Sequence, residues 1–233
     1  MGKKKVGCIG TGVMGSALME AVIKVTGPSE VLVRDADSLK GEAFCRKNGC
    51  TLASTNREIA SGVDFMFLAV KPQYLAPVLE DIVESLTQDT VVVSMAAGVP
   101  IEMIRKHLGG HLKIIRIMPN TPAAVGASMI AIAPDKAVLP AETQELQRLL
   151  AQAGLTELTG EPLMDAVTAV SGSGPAYGYL FIEALADAAV LMGMPRAQAI
   201  RYSAQTLKGA AEMVLQTGTH PGALMDSVCS PAG

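Results

Sequence analysis

The chain has 233 residues, long for one small domain and comfortable for two; 49% are hydrophobic, only 3% aromatic, and none is Trp. Stacking platforms for bases are therefore scarce, and a formal charge of -3 gives no basic footprint, which excludes nucleic acid as an expected partner. The longest charge-free stretch, 117–134, holds Asn120, Thr121 and three prolines and makes a poor membrane span.

Behind Lys3, Lys4 and Lys5 the run VGCIGTGVMG is broken by glycine and is no secretory signal, so the expected location is the cytoplasm. Cys8, Cys45, Cys50 and Cys229 lack the paired spacing of a zinc site, and four reduced thiols are expected.

The first predicted strand, KVGCIG, runs straight into a helix starting near Val13, and the turn between them reads G-x-G-x-x-G with Gly10, Gly12 and Gly15. Gly10 permits the tight turn, Gly12 lets a pyrophosphate approach the backbone, and Gly15 allows close helix packing, with Thr11, Val13 and Met14 completing the loop. Dinucleotide binding is the expectation. The second strand, EVLVRD, ends at Asp35, twenty positions after Gly15, where an acidic group bonds the ribose hydroxyls of NAD. Arg34 is the alternative, suited to the extra phosphate of NADP; neighbouring strand residues point to opposite faces, so one of the two reaches the ribose.

Further strands follow as DFMFLAV, TVVVSMA and LKIIRIM, with helices starting near Ser38, Gln73 and Pro100 between them. The alternation predicts an α/β doubly wound parallel sheet with helices on both faces. SMIAIA is a further candidate strand, and AETQELQRLLAQAG a helix stopped by Gly154. Ligands of such sheets sit outside the carboxyl ends of the strands, here Ala69 to Pro72, Ser94 to Gly98 and Met118 to Pro122. Lys71 supplies charge there, and Ser94, Asn120 and Thr121 supply hydrogen bonds. No Ser-His-Asp or Cys-His relay forms among them, so a hydrolase is not indicated. His107 and His111 are four apart, but Gly109 and Gly110 break the helix between them and no metal site is expected.

Beyond Pro162 the β signal disappears. PAYGYLFIEALADAAVLMGM and PRAQAIRYSAQTLKGAAEMVLQTG are long helical patterns, each opened by proline and closed near glycine. The first is apolar almost all round and asks to be covered on every side, which points to a second subunit, with packing against the first domain as the alternative. Glu183 and Asp187 share one helical face but lack a third ligand group, and a solvated or interface edge is the expectation.

FLAVKPQ, MPNTPAAVG, AVSGSGPAYGYLFIEALADAAVLMGMPR and the closing HPGALMDSVCSPAG together resemble the pyrroline-5-carboxylate reductase family over essentially the whole chain. The resemblance implies a Rossmann-type dinucleotide-binding domain over 1–160 and an all-helical dimerisation and substrate domain over 161–233, in a homodimer or higher homo-oligomer. It implies reduction of 1-pyrroline-5-carboxylate to L-proline with NADPH or NADH. It places Ala69, Val70, Lys71, Pro72, Met118, Pro119 and Asn120 near the nicotinamide, Met95, Ala96 and Ala97 along the same crevice, and Asn56 towards the adenosine half. Ser173, Val228, Cys229, Ser230 and Gly233 fall to the substrate, and no catalytic residue is named.

Two departures from the family pattern stand out. Asp35, Ala36 and Asp37 replace the Asn-Arg-Ser/Thr type of sequence suited to the NADP phosphate, which favours NADH. The family pattern also runs on past Ser-Pro-Gly-Gly into a threonine-containing helix, whereas this sequence stops at Gly233, so an incomplete substrate site is expected. Two other readings share the architecture: a β-hydroxyacid dehydrogenase, whose catalytic lysine on a second-domain helix has only Lys208 as a candidate here, and a non-catalytic dinucleotide-binding protein.

Overall fold

The computed structural model describes residues 4–110 and 113–231. Strands β1 (Lys4–Ile9), β2 (Val31–Arg34) and β3 (Thr51–Leu52) alternate with helices α1 (Val13–Thr26), α2 (Ser38–Asn48) and α3 (Asn56–Gly62). Strand β4 (Val63–Leu68), α4 (Leu75–Ile82), β5 (Val91–Ser94), α5 (Ile101–His107) and β6 (Ile114–Met118) continue the pattern. The sheet closes with β7 (Ser128–Pro134), α6 (Pro140–Leu150) and β8 (Gly154–Leu158), giving the order β3-β2-β1-β4-β5-β6-β7-β8.

Alternating side chains explain why the strands read as continuous apolar runs: both faces are covered. Val6, Val33, Phe67, Val93 and Ile115 pack into the core on the side of α1 and α6, while Ile9, Leu32, Met66, Val92 and Ile114 pack into the core on the side of α3, α4 and α5. The chain reverses its winding direction between β1 and β4, which pair in parallel with Ile9 opposite Leu68. That reversal opens a crevice at their carboxyl ends.

Strands β1 to β6 are parallel, as predicted, but β7 runs antiparallel to β6 and β8 lies parallel to β7. The connection 119–127 holds only a short 3-10 turn, Thr121–Val125, and is too short for a helical crossover, so the chain must turn back beside β6. Strand β8 also takes up Gly154, which begins it at φ +150 after the helix has ended at Leu150.

The chain divides into two compact units, Met1–Ser173 and Gly174–Gly233. Within the first, α7 (Met164–Val167) leads into a π-helical turn, Thr168–Gly172. The second unit consists of α8 (Gly174–Leu191), α9 (Arg196–Thr217) and α10 (Pro221–Val228), with α8 packed along α9. Among the described residues no helix is long and apolar enough to cross a membrane.

Candidate active site

The glycine turn after β1 is built as its sequence requires. Gly10 sits at φ +103, and a Cβ there would lie 2.6 Å from the Ala69 carbonyl oxygen. At Gly15 a Cβ would lie 2.2 Å from the Gly10 carbonyl oxygen and 2.9 Å from the Ala69 Cβ, so α1 approaches the β1–β4 seam as only glycine allows. Gly12 has nothing within 4 Å of its Cβ position. It caps α1 without a side-chain bond, so the amides of the first turn, beside exposed Val13 and half-buried Met14, face open space at the positive end of the helix dipole.

Buried Thr11 fixes this loop to the end of β2. Its N–H and its hydroxyl donate to Asp35 Oδ2 at 2.6 and 2.8 Å, and the Asp37 N–H donates to Asp35 Oδ1 at 2.9 Å. Burial alone would push the Asp35 carboxyl up, but these donors, with Lys40 nearby, hold it below its ordinary value. Arg34 turns its guanidinium back onto the Asp35 carbonyl.

The walls of the crevice come from three strand ends. Ala69 donates its N–H to the Ile9 carbonyl at 2.9 Å, Val70 is half-buried, and exposed Lys71 precedes the 3-10 turn opened by Pro72. Met95 donates its N–H to the Leu68 carbonyl, Ala96 is buried and Ala97 exposed. Met118, Pro119 and Asn120 are buried at the end of β6. Asn56, on the first turn of α3, donates to Asp81 Oδ2 at 3.1 Å.

Ser173 is exposed at the end of the first unit. Val228, Cys229 and Ser230 are exposed at the end of α10 in the second unit, as Lys208 is on α9. Gly233 lies outside the described residues, as does His111; His107 ends α5 near Glu80. Asp187 ion-pairs with Arg196. All four cysteines are free, and among the described residues no group of three His, Cys, Asp or Glu side chains fits a metal ion. A cavity of about 650 Å³ at the amino ends of β5 and β6, lined by Gln88, Leu108 and Lys113, lies at the wrong end of the sheet for a dinucleotide.

Sequence reasoning missed a polar framework that ties the crevice walls to the segment 161–172. Glu161 Oε1 accepts from the Ile101 N–H at 2.7 Å and from buried Arg116 at 2.9 Å, holding the start of α5 beside β6. Asn120 donates to the Ser171 carbonyl at 2.9 Å and accepts from the Ser128 hydroxyl at 2.9 Å. The one signal available was Arg116 itself, a charge inside the otherwise apolar IIRIM strand.

Residues 161–233 match the family model of pyrroline-5-carboxylate reductase dimerisation, and residues 5–98 match the model described as NADP oxidoreductase coenzyme F420-dependent. The chain is 45% identical to the pyrroline-5-carboxylate reductase of Escherichia coli, over 99% of this chain and 87% of that protein. It is 41% identical to that of Methanosarcina acetivorans, over 100% of this chain and 87% of the other. The crystal structure of Plasmodium falciparum pyrroline carboxylate reductase with NADP bound superposes with a TM-score of 0.88 at 31% identity, covering 100% of this chain and 87% of that one. With the dinucleotide fold, the open glycine turn and this identity along the whole of the given sequence together, the chain belongs to the pyrroline-5-carboxylate reductase family.

Proposed function

We propose that the protein reduces the C=N bond of 1-pyrroline-5-carboxylate to give L-proline, the last step of proline biosynthesis, using NADPH or NADH. The observation that carries this reading is the uncapped start of α1 at the β1–β4 crevice, in a chain 45% identical to the Escherichia coli enzyme. When bound, the reduced nicotinamide supplies the hydride. The chain's own residues bind and orient: the first-turn amides at Gly12 and Val13 receive the pyrophosphate, and Asp35 receives the ribose. Asn56 faces the adenosine half. Ala69 to Pro72, Met95 to Ala97, Met118 and Pro119 wall the nicotinamide.

A ring imine takes up a proton readily, so holding two reactants in contact accounts for most of the work and no strong acid–base pair is required. Ser173 and the segment with Val228, Cys229, Ser230 and Gly233 are assigned to the substrate, on the family resemblance alone. Of the two cofactors we favour NADH, because the Asp35 carboxylate occupies the position where the extra phosphate of NADPH would need a cation. The working form is a homodimer or a larger homo-oligomer in the cytoplasm, with residues 1–160 and 161–233 as its functional halves.

The test is a steady-state assay with each cofactor. Imine-dependent oxidation of the nicotinamide with proline formed in equal amount is expected; turnover of a β-hydroxyacid and none of the imine would overturn the reading.

A further inference from the structure

Asn120 is 9% exposed, two residues after Met118, the last residue of β6. Its Oδ1 accepts from the Ser128 hydroxyl at 2.9 Å and from the Met129 N–H at 3.2 Å, so the oxygen is committed to β7 and the amide is held in one orientation. Its Nδ2 donates to the Ser171 carbonyl at 2.9 Å. That carbonyl lies in the π-helical turn Thr168–Gly172, closed by the Ser173 N–H donating to the Thr168 carbonyl at 2.9 Å.

The sequence explains why Ser171 needs a donor from outside. In a regular helix its carbonyl would accept from the residue four positions on, and that residue is Pro175, which has no N–H. A π-turn at this point is the kind of helical irregularity that recurs at functional sites. Gly172 completes the contact: a Cβ there would lie 3.8 Å from the Met118 Sδ, so the turn rests against the crevice wall.

We propose that Asn120 is a positioning residue for hydride transfer: through Ser171 its amide sets the distance between Met118, beside the nicotinamide, and Ser173, assigned to the substrate. This rests on the functional reading above. It differs from a direct cofactor contact, because the side-chain oxygen is already shared between two donors of β7.

Asn120→Asp tests it. The carboxylate keeps its shape and its acceptors for Ser128 and Met129 but turns an acceptor towards the Ser171 carbonyl. The expected result is a kcat for imine reduction about tenfold to a hundredfold lower, the loss of one buried hydrogen bond, with cofactor affinity by fluorescence titration within about threefold of wild type. Lowering the pH should restore kcat in the variant alone, because a protonated carboxyl can donate to Ser171 again. Ser128→Ala, which removes one of the two donors holding the amide oxygen, should lower kcat about threefold with unchanged cofactor affinity, and it carries the test should Asn120→Asp not fold.

Unchanged kcat in the folded variants would overturn the proposal, as would lost cofactor affinity at unchanged kcat, which marks a direct contact instead. Wild-type protein that binds cofactor but leaves the imine untouched would overturn the functional reading, and this proposal with it.

Discussion

Three hydrogen bonds converge on the Asp35 carboxylate, so it both braces the glycine loop and puts a fixed negative charge where the ribose is expected. Its folded pKa lies below the ordinary value, so the stability it contributes is present above the unfolded value of about 3.9 and is lost as pH falls through the lower folded one. The charge therefore persists throughout the neutral range. A phosphate about 4 Å away would be repelled by roughly 4 kcal/mol at an effective dielectric of about 20, and half-exposure leaves about a third of that, roughly tenfold in preference. Asp35→Asn, which keeps an oxygen towards Thr11, should raise the ratio of kcat/KM with NADPH to that with NADH by about tenfold; an unmoved ratio would remove Asp35 as the selector. The thiols give a second prediction. Burial, and then the Cys45 thiol 3.5 Å away, pushes Cys50 up to about 12, and burial drives Cys8 higher still. At pH 7.5 the thiolate fraction of Cys50 is roughly a thousandfold below that of a free cysteine, so iodoacetamide should leave Cys8 and Cys50 intact in the folded protein while modifying all four after unfolding. Rapid labelling of Cys50, read by peptide mass spectrometry, would contradict this burial.

Elements with a strong local pattern were legible in the sequence, and those made by distant partners were not. The strands β1, β2, β4, β5 and β6 are apolar runs bounded by turns, and the glycine turn carries its own geometry, so both could be read directly. Strand β3 has two residues and exists only through pairing with β2. Strand β8 continues from what read as a helix tail, and its partner β7 lies on the far side of α6. Helix α3 did leave a signal: the Thr55 hydroxyl accepts from the Glu58 N–H and the Glu58 carboxylate accepts from the Ser54 N–H, a T-x-x-E start that could have been recognised. The Glu161 link is of the distant kind, joining residues 60 apart. Removing its carboxylate strands the buried Arg116 guanidinium and an N–H of α5. Glu161→Ala should therefore cost about 3 kcal/mol in urea unfolding, the low end for a broken buried pair because Glu161 is one-third exposed. A cost under about 1 kcal/mol would make it no more than a surface pair.

At the scale of the whole molecule, the first unit has two large cores and a small third one around Met118 and Met164, and the second unit has almost none. Among the second unit's described residues only Ala186, Ala199 and Ser203 are buried, while Leu180 is 67% and Leu191 90% exposed. The sequence already showed this as a helix apolar nearly all round, but no single chain could show what covers it. Helices so apolar are stable only when another surface takes up their side chains. The match of residues 161–233 to a dimerisation model points to a second copy of the chain as that surface. Covering four side chains such as Tyr177, Leu180, Phe181 and Leu191, at about 1.5 to 3 kcal/mol each, would contribute roughly 6 to 12 kcal/mol per protomer before the entropy of association. A charge inside that surface must be desolvated without a partner. Leu180→Glu should accordingly shift the molar mass by light scattering from an oligomer towards the monomer, and lower the Tm. The wild-type Tm should rise with protein concentration, because association stabilises the folded chain by mass action. A wild-type monomer at micromolar concentration, or an oligomer unchanged by Leu180→Glu, would show that α8 is covered in some other way.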